Sequence, residues 1–221
     1  MRHTNMERKC ARPLVRLLGA AALAAGALTV AATGLPPAAA APCPDVEIVF
    51  ARGTTEPPGV GGIGQAFVDS LRAQLGARSV GVYAVNYPAS NDFGTSTPIG
   101  ANDASAHIQS MAANCPNTRM VLGGYSQGAA VIDLAASAAP AQVADKVAAV
   151  ADFGGPRSSF ADTLSAGPLP AISPLYAGKT IDMCVPNDPI CFEGGWDMRA
   201  HGAYVQTGMV NDAAGYAASR L

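Results

Sequence analysis

A serine between two glycines is the feature of this sequence with the clearest chemistry. Residues 124–128 read Gly-Tyr-Ser-Gln-Gly, a G-x-S-x-G pattern that can hold an exposed serine on a sharp turn from a strand into a helix. The pattern also occurs by chance, so its setting matters. A β-rich run, Arg119 to Tyr125, precedes the serine, and a small-residue helical stretch, Gln127 to Ala139, follows it. We therefore predict that Ser126 is a nucleophile; the alternative is a Gly-rich turn with an incidental serine.

A serine hydroxyl attacks a carbonyl carbon efficiently only when an adjacent base removes its proton. Histidine is the usual base, and in enzymes with this kind of turn the chain order is serine, acid, histidine. His201 is the one histidine that follows Ser126, so it is predicted to be the base. His107 precedes the serine on a predicted helix, where we expect it to face solvent.

The acid that orients this histidine must be chosen from several carboxylates. Eight lie between the serine and the histidine: Asp133, Asp145, Asp152, Asp162, Asp182, Asp188, Glu193 and Asp197. The acid normally follows the second strand beyond the nucleophile strand, at the carboxyl edge of the sheet. Asp188 satisfies this rule, in a loop from Cys184 to Cys191 that a disulfide and two prolines would stiffen. The alternative for Asp188 is an Asn-Asp-Pro turn, and Asp152, inside a predicted strand, is the next candidate for the acid.

Short β-branched runs alternate with longer helical stretches along the chain. Five strands are predicted: Val46 to Ala51, Val80 to Val85, Arg119 to Tyr125, Val147 to Phe153 and Thr180 to Cys184. Four helices are predicted: one with an apolar face at Ile63, Phe67, Leu71 and Leu75, and three over Ala101 to Asn114, Gln127 to Ala139 and His201 to Arg220. Two stretches rich in Gly, Pro, Ser and Thr, Arg52 to Gly62 and Asn86 to Gly100, are predicted loops. This alternation predicts an α/β fold with a central five-stranded parallel sheet between two helical layers, a three-layer sandwich. With the serine turn at 124–128, we expect a fold of the α/β-hydrolase kind without a lid domain.

The N-terminal residues have the composition of a secretion signal. Basic residues precede an uncharged apolar run, Leu17 to Ala32, and small residues follow at Ala38 to Ala41; this order is typical of a cleaved signal peptide. A membrane anchor is the alternative, but the run is shorter than the about 20 apolar residues that a span needs. We predict a signal peptide over residues 1–41, a single domain over residues 42–221, and a secreted protein, free or associated with the cell wall.

The charge of the predicted mature chain argues against two classes of partner. Residues 1–41 hold five of the 14 Lys and Arg residues and one of the 16 Asp and Glu residues, which leaves a formal net charge of −6. Nucleic-acid binding needs a basic surface, and an acidic chain is not attracted to anionic membranes. We therefore expect no nucleic-acid partner and no stable membrane anchor. The protein is expected to be a monomer.

Four cysteines remain in the predicted mature chain: Cys43, Cys115, Cys184 and Cys191. An even number in an exported protein indicates disulfides. Cys184 and Cys191 are close in sequence and bracket one loop, so they are expected to pair, which leaves Cys43 with Cys115. A zinc site is the alternative, but the sequence has no C-x-x-C spacing and few histidines. We expect no metal and no organic cofactor.

Together these residues resemble the cutinase family, and in particular its mycobacterial cutinase-like branch. The landmarks are the run Ala51 to Glu56 (ARGTTE), the serine motif at 124–128, the Cys184-x3-Asp188-x2-Cys191 loop and His201. The resemblance implies the catalytic triad Ser126, Asp188 and His201 and the same two disulfides. It also implies an oxyanion hole from the backbone N–H groups of Thr54 and Gln127, helped by the Thr54 hydroxyl, where fungal members usually carry serine. The residues themselves agree, because a Gly-Thr loop leaving the first strand lies beside the serine turn; the alternative is an ordinary Gly-rich turn.

The substrate is less well specified. Four apolar residues are candidate walls for an acyl chain: Phe93, Phe192, Trp196 and Met198; each could instead belong to the core. Since no lid is inserted, we expect an open site for an ester or lipid substrate, with short- to medium-chain carboxylic esters preferred. Cutin-like polyesters, lipase, phospholipase, thioesterase and acetylxylan esterase activities are alternatives, as is a secreted surface protein with little turnover.

Overall fold

The computed structural model of the protein describes residues 42–221; the predicted signal peptide lies outside this range. The five strands are β1 Val46–Ala51, β2 Val80–Ala84, β3 Arg119–Tyr125, β4 Val147–Phe153 and β5 Thr180–Met183. The helices are α1 Gly61–Leu75, α2 Phe93–Asn114, α3 Gln127–Ala138, α4 Ala141–Ala144, α5 Ser159–Leu164 and α6 Met209–Ala218.

The strands form one parallel sheet with the order β2-β1-β3-β4-β5. The strand that ends at the predicted nucleophile, β3, is therefore central, and β5 lies two places beyond it. Every pairing is parallel, so all five carboxyl ends meet at one edge, where sites form in such sheets. The predicted five-stranded parallel sheet is confirmed.

Helices cover both faces of the sheet and bury two separate apolar cores. On one face, α2 and α3 pack on side chains such as Val49, Leu122 and Val150. On the other, α1 and α6 pack on Phe50 and its neighbours. The rings of Phe50, Phe67 and Phe153 have centroids 5.7–6.3 Å apart, which is within the range of favourable aromatic pairs. The result is the predicted three-layer sandwich.

Two helices begin eight residues away from the predicted start. The Asn86 to Gly100 stretch is not entirely loop, because α2 begins at Phe93, where the Asp92 side chain accepts a hydrogen bond from the Thr95 backbone N–H at 3.3 Å. The last helix does not begin at His201. That residue lies in a short 3₁₀ turn, Ala200–Gly202, and α6 starts only after Gly208, whose φ of 81° breaks the helix.

Two disulfides join distant and neighbouring parts of the chain. Cys43 pairs with Cys115, which are 72 residues apart, and Cys184 pairs with Cys191, which are seven apart. This is the pairing expected from their spacing. Within residues 42–221, none of the helices is both long and apolar enough to span a membrane.

Candidate active site

Ser126 lies in the tight connection between β3 and α3. Its φ is +56°, a left-handed value that costs energy in a residue with a side chain and is found at functional turns. A Cβ at Gly124 would overlap the backbone of Gly128, and one at Gly128 would overlap the carbonyl oxygens of Ala51 and Arg52. Only glycine therefore lets the helix, the nucleophile strand and β1 approach this closely.

Three side chains from separate elements meet in one hydrogen-bonded chain. His201 Nε2 is 2.9 Å from Ser126 Oγ, and His201 Nδ1 is 2.9 and 2.8 Å from the two carboxylate oxygens of Asp188. His201 is nearly buried, at 8% exposure, and Asp188 is fully buried. These distances suit a base that takes the serine proton while a carboxylate orients it.

The Asp188 carboxylate has two further hydrogen-bond donors. The Ile190 backbone N–H donates to Oδ1 at 2.9 Å, and the Tyr204 hydroxyl donates to Oδ2 at 2.5 Å. Burial raises the pKa of Asp188, but the hydrogen bonds from His201 and Tyr204 outweigh it and hold that pKa below its ordinary value. Burial and the adjacent Asp188 raise the pKa of the Tyr204 hydroxyl. Asp188 is thus an anion and Tyr204 its neutral donor at neutral pH.

The loop after β1 brings Thr54 to the serine turn. The Thr54 hydroxyl is buried and has no hydrogen-bond partner within residues 42–221. Buried polar groups are usually paired, so this unpaired hydroxyl beside the serine turn is an exception that calls for a functional explanation. The loop itself is fixed by the buried Arg52, whose guanidinium donates to the carbonyl oxygens of Glu56 at 2.8 Å and Tyr87 at 2.7 Å.

The Gln127 side chain fixes the opposite side of this region. Its amide donates to the Ser90 carbonyl at 3.0 Å and accepts from the Ser96 hydroxyl at 3.2 Å. With the side chain held in this way, the backbone N–H of Gln127 remains at the first turn of α3, where helical N–H groups lack intrahelical acceptors. The backbone N–H groups of Thr54 and Gln127 are the two predicted oxyanion donors, and Thr54 lines the same pocket as Ser126.

An apolar pocket of about 250 Å³ opens onto Ser126 and His201. Phe93 and Met198 line it, together with Leu164. The other two candidate walls are not among its lining residues: Phe192 is 46% exposed and Trp196 75% exposed. A narrow apolar recess of about 30 Å³ leads from Ser126 past Leu164. A wider groove of about 490 Å³ lies at the amino ends of β1 and β2, and no histidine lines it.

Sequence reasoning missed three residues that hold the site together. Tyr204, Arg52 and Tyr125 all act through hydrogen bonds to groups distant in sequence, Tyr125 by donating to the His201 carbonyl at 2.8 Å. Arg52 could have been identified from the sequence as a charged residue next to the Gly-Thr loop, whereas no neighbouring sequence pattern distinguishes Tyr125 and Tyr204. His107 also differs from expectation: it is partly buried, with Nε2 3.0 Å from the buried carboxylate of Glu47.

No group of three or more histidine, cysteine, aspartate or glutamate side chains within residues 42–221 is arranged to hold a metal ion. A parallel sheet with a strained serine between a central strand and a helix, bonded to a histidine, defines a serine hydrolase of the α/β-hydrolase fold.

Comparison with known proteins gives the family. Residues 42–221 match the family model described as Cutinase, and the chain belongs to the cutinase family. It is 57% identical over 211 residues to Carboxylesterase Culp1 of Mycobacterium tuberculosis, covering 95% of this chain and 97% of that protein. It is 50% identical over 230 residues to Phospholipase Culp4 of the same organism, covering 99% and 97%.

A solved structure agrees with this assignment. Trichoderma reesei cutinase in complex with a C11Y4 phosphonate inhibitor is similar, with a TM-score of 0.63 and 35% identity over 80% of this chain and 77% of that one. The protein is therefore a carboxylic ester hydrolase, a serine esterase with relatives among the mycobacterial cutinase-like proteins, and the expected fold and enzyme class are confirmed.

Proposed function

We propose that the protein is a secreted, monomeric esterase that cleaves short- to medium-chain acyl esters through Ser126, His201 and Asp188. The observation that carries this proposal is the unbroken hydrogen-bonded chain of these side chains at the floor of an apolar pocket. Secretion is supported by the two disulfides, which persist in oxidising compartments, and by the composition of residues 1–41.

The geometry supports a two-step reaction. His201 Nε2 takes the proton of Ser126 as Oγ attacks the ester carbonyl, and Asp188 stabilises the imidazolium that forms. The backbone N–H groups of Thr54 and Gln127, with the Thr54 hydroxyl, stabilise the negative charge on the former carbonyl oxygen. His201 then protonates the departing alcohol, and the same residues activate a water molecule that releases the acid from Ser126.

The acyl chain is proposed to lie in the apolar pocket and to reach into the narrow recess. Leu164 lines both and is half exposed, at 49%, so it controls the depth available to the chain. Because the recess is small, the first few carbons are held closely, and longer chains must follow the open pocket toward Met198.

A second candidate activity is cleavage of phospholipids. Two observations favour it: the mouth of the pocket carries exposed apolar side chains, Leu164 and Met198, and a relative at 50% identity is named a phospholipase. A pocket mouth of this kind can accept a lipid tail from an aggregated substrate. The same triad would perform the reaction, so only the substrate differs.

The test is turnover of p-nitrophenyl esters from acetate to palmitate, with phosphatidylcholine vesicles as a parallel substrate. We expect the highest kcat/KM for short to medium chains, and loss of all but a residual rate in Ser126→Ala. Leu164→Ala deepens the recess and should move the preferred chain to greater length, while Leu175→Ala, an exposed leucine that does not line the pocket, should leave it unchanged. Wild-type rates in Ser126→Ala would refute the proposal, and faster cleavage of vesicles than of any soluble ester would favour the phospholipase.

A further inference from the structure

A group of four charged side chains lies on the α3 face of the sheet, one strand away from the nucleophile; two of them are completely buried, Arg157 is partly buried and Asp182 is exposed. It consists of Asp133 on α3, Asp152 on β4, Asp182 on β5 and Arg157 in the loop after β4. Asp152 faces all of these titratable groups: its register partner on β5 is Asp182, and on β3 it is Gly124, which carries no charge. Asp133 and Asp152 are completely buried, and the mechanism proposed above uses none of the four.

The hydrogen bonds in this group do not balance if every carboxyl is ionised. Arg157 Nη2 donates to Asp133 Oδ2 at 2.6 Å, and Arg157 Nε lies 3.5 Å from the nearer oxygen of Asp182. Asp133 Oδ1 and both oxygens of Asp152 are buried without a donor within residues 42–221. A buried carboxylate without partners is strongly unfavourable, so two ionised and completely buried carboxylates, Asp133 and Asp152, beside one guanidinium would destabilise the fold.

One proton removes most of this imbalance. Asp133 and Asp152 are near enough to hydrogen-bond to each other, so a protonated Asp152 can donate to Asp133 Oδ1. Burial, followed by the charge of Asp133, raises the pKa of Asp152 well above its ordinary value. Burial also raises the pKa of Asp133 to about 6, against the opposing effect of Arg157. Two neighbouring carboxyls of this kind hold one proton between them.

Arg157 connects this charged group to the loop that carries Asp188. The backbone N–H groups of Arg157 and Ser158 donate to the Ile190 carbonyl at 3.0 and 3.2 Å. The Ser158 hydroxyl, which is also buried, donates to the Pro189 carbonyl at 2.5 Å. Pro189 and Ile190, which follow Asp188, are thus hydrogen-bonded to Arg157 and Ser158, and the Arg157 side chain is in turn bonded to Asp133.

We propose that Asp152 is a neutral carboxylic acid in the folded enzyme and that it donates a hydrogen bond to Asp133. This hydrogen bond preserves the ion pair between Asp133 and Arg157. Through that ion pair, Arg157 is a positioning residue for Asp188. Because the proton is on Asp152, Asp133 is the single buried anion that faces the Arg157 guanidinium. The statement about Arg157 rests on the proposed function, whereas the statement about the proton does not.

The proton can be observed directly. At neutral pH the infrared spectrum of the wild-type protein should contain the C=O stretch of a protonated carboxylic acid, and Asp152→Asn should lack it. Absence of this band from the wild-type protein would overturn the proposal, whether or not the variant folds.

The pH dependence of unfolding gives a second, quantitative test. A raised folded-state pKa means that Asp152 stabilises the fold fully below its unfolded value of 3.8 and that this contribution is lost as the pH rises to the folded value. In that window the group increases the unfolding equilibrium constant about tenfold per pH unit. Asp152→Asn, whose amide donates to Asp133 without titrating, should lose this rise, and Asp69→Asn, on the exposed side of α1, should retain it. Equal slopes in the wild type and Asp152→Asn would contradict a buried proton.

The role of Arg157 is tested by kinetics on a soluble ester. Arg157→Gln should lower kcat about tenfold with little change in KM, Arg157→Lys should recover part of the loss, and Asp152→Asn should keep wild-type kcat at neutral pH. Unchanged kcat in Arg157→Gln, with Ser126→Ala inactive, would refute the positioning role alone. An active Ser126→Ala would refute the proposed function and the role of Arg157 with it, while the infrared result would still decide the protonation of Asp152.

Discussion

Tyr204→Phe removes one hydrogen bond from the proposed catalytic acid and leaves the ring in place. The Tyr204 hydroxyl donates to Asp188 Oδ2 at 2.5 Å, and its completely buried ring packs edge-on against Phe153 at 5.9 Å between centroids. Phenylalanine preserves that packing. The variant therefore isolates the hydrogen bond from the shape of the core.

The expected magnitude follows from the charge on the acceptor. A hydrogen bond to a charged group contributes about 1.5–3 kcal/mol, and about 1.4 kcal/mol corresponds to one pKa unit. The pKa of Asp188 should consequently rise by about one to two units. Because the folded-state pKa of Asp188 is lowered, this residue stabilises the fold above its unfolded pKa of 3.8, and the stabilisation is lost as the pH falls through the folded-state pKa. As the pH is lowered, the activity and the stability of the variant should therefore decline at a higher pH than those of the wild type.

The assay is the pH profile of kcat/KM on a soluble ester, with urea unfolding at each pH. At neutral pH kcat/KM should fall by between about tenfold and a hundredfold if the whole bond supports the transition state. Tyr125→Phe is the matched control, because it removes a hydroxyl bonded to the His201 backbone at 2.8 Å and not to the carboxylate. If Tyr204→Phe keeps the wild-type kcat/KM at neutral pH and loses activity at the same acidic pH as the wild type, the argument that Tyr204 holds Asp188 in its ionised form is wrong.

Two further predictions follow from the oxyanion loop and the disulfides. Thr54→Val should reduce kcat on the order of 10²-fold. Its free energy of unfolding should stay within about 0.5 kcal/mol of the wild-type value, since the buried hydroxyl has no partner within residues 42–221. Thr54→Ser should keep the rate, and a Thr54→Val enzyme as fast as wild type would exclude the hydroxyl from the reaction. Replacing Cys43 and Cys115 by alanine should cost about 4 kcal/mol, and replacing Cys184 and Cys191 about 2 kcal/mol, because the loops they close span 72 and seven residues. Urea midpoints measure both losses, and equal losses would argue against chain entropy as their cause.

The sheet could be predicted from the sequence because each strand is a short run in which β-branched or apolar residues predominate. Val46–Ala51 and Val147–Phe153 have the predicted bounds and are buried at every position, as strands in a covered parallel sheet must be. Helix starts were harder. The first two turns of α2 contain Gly94 and Pro98, which are typical of loops, and the helix forms because Asp92 caps it and Ser96 and Thr97 are buried against the core.

The proposed nucleophile and base could be chosen from the motif and the single downstream histidine, and the proposed acid from its place after the second strand beyond β3; the structure brings the three side chains within hydrogen-bond distance. The supporting residues could not be chosen in this way. Tyr204 reaches Asp188 across 16 residues and Arg52 reaches Tyr87 across 35, and no local pattern encodes a contact that depends on how two loops dock. The sequence predicts Asp152 only as an alternative acid for His201, whereas the fold turns its side chain toward α3.

Gly128 has a mechanical consequence for the enzyme. Its Cα rests against the carbonyl oxygens of Ala51 and Arg52, so the helix that follows the nucleophile and the loop that carries Thr54 touch without an intervening side chain. The gap between the two proposed oxyanion donors is therefore set by backbone against backbone, with no rotamer that thermal motion could change. Side-chain substitutions should therefore hardly change the distance between the two donors. Variants with altered specificity should instead carry substitutions in the pocket walls, where side chains alone set the shape.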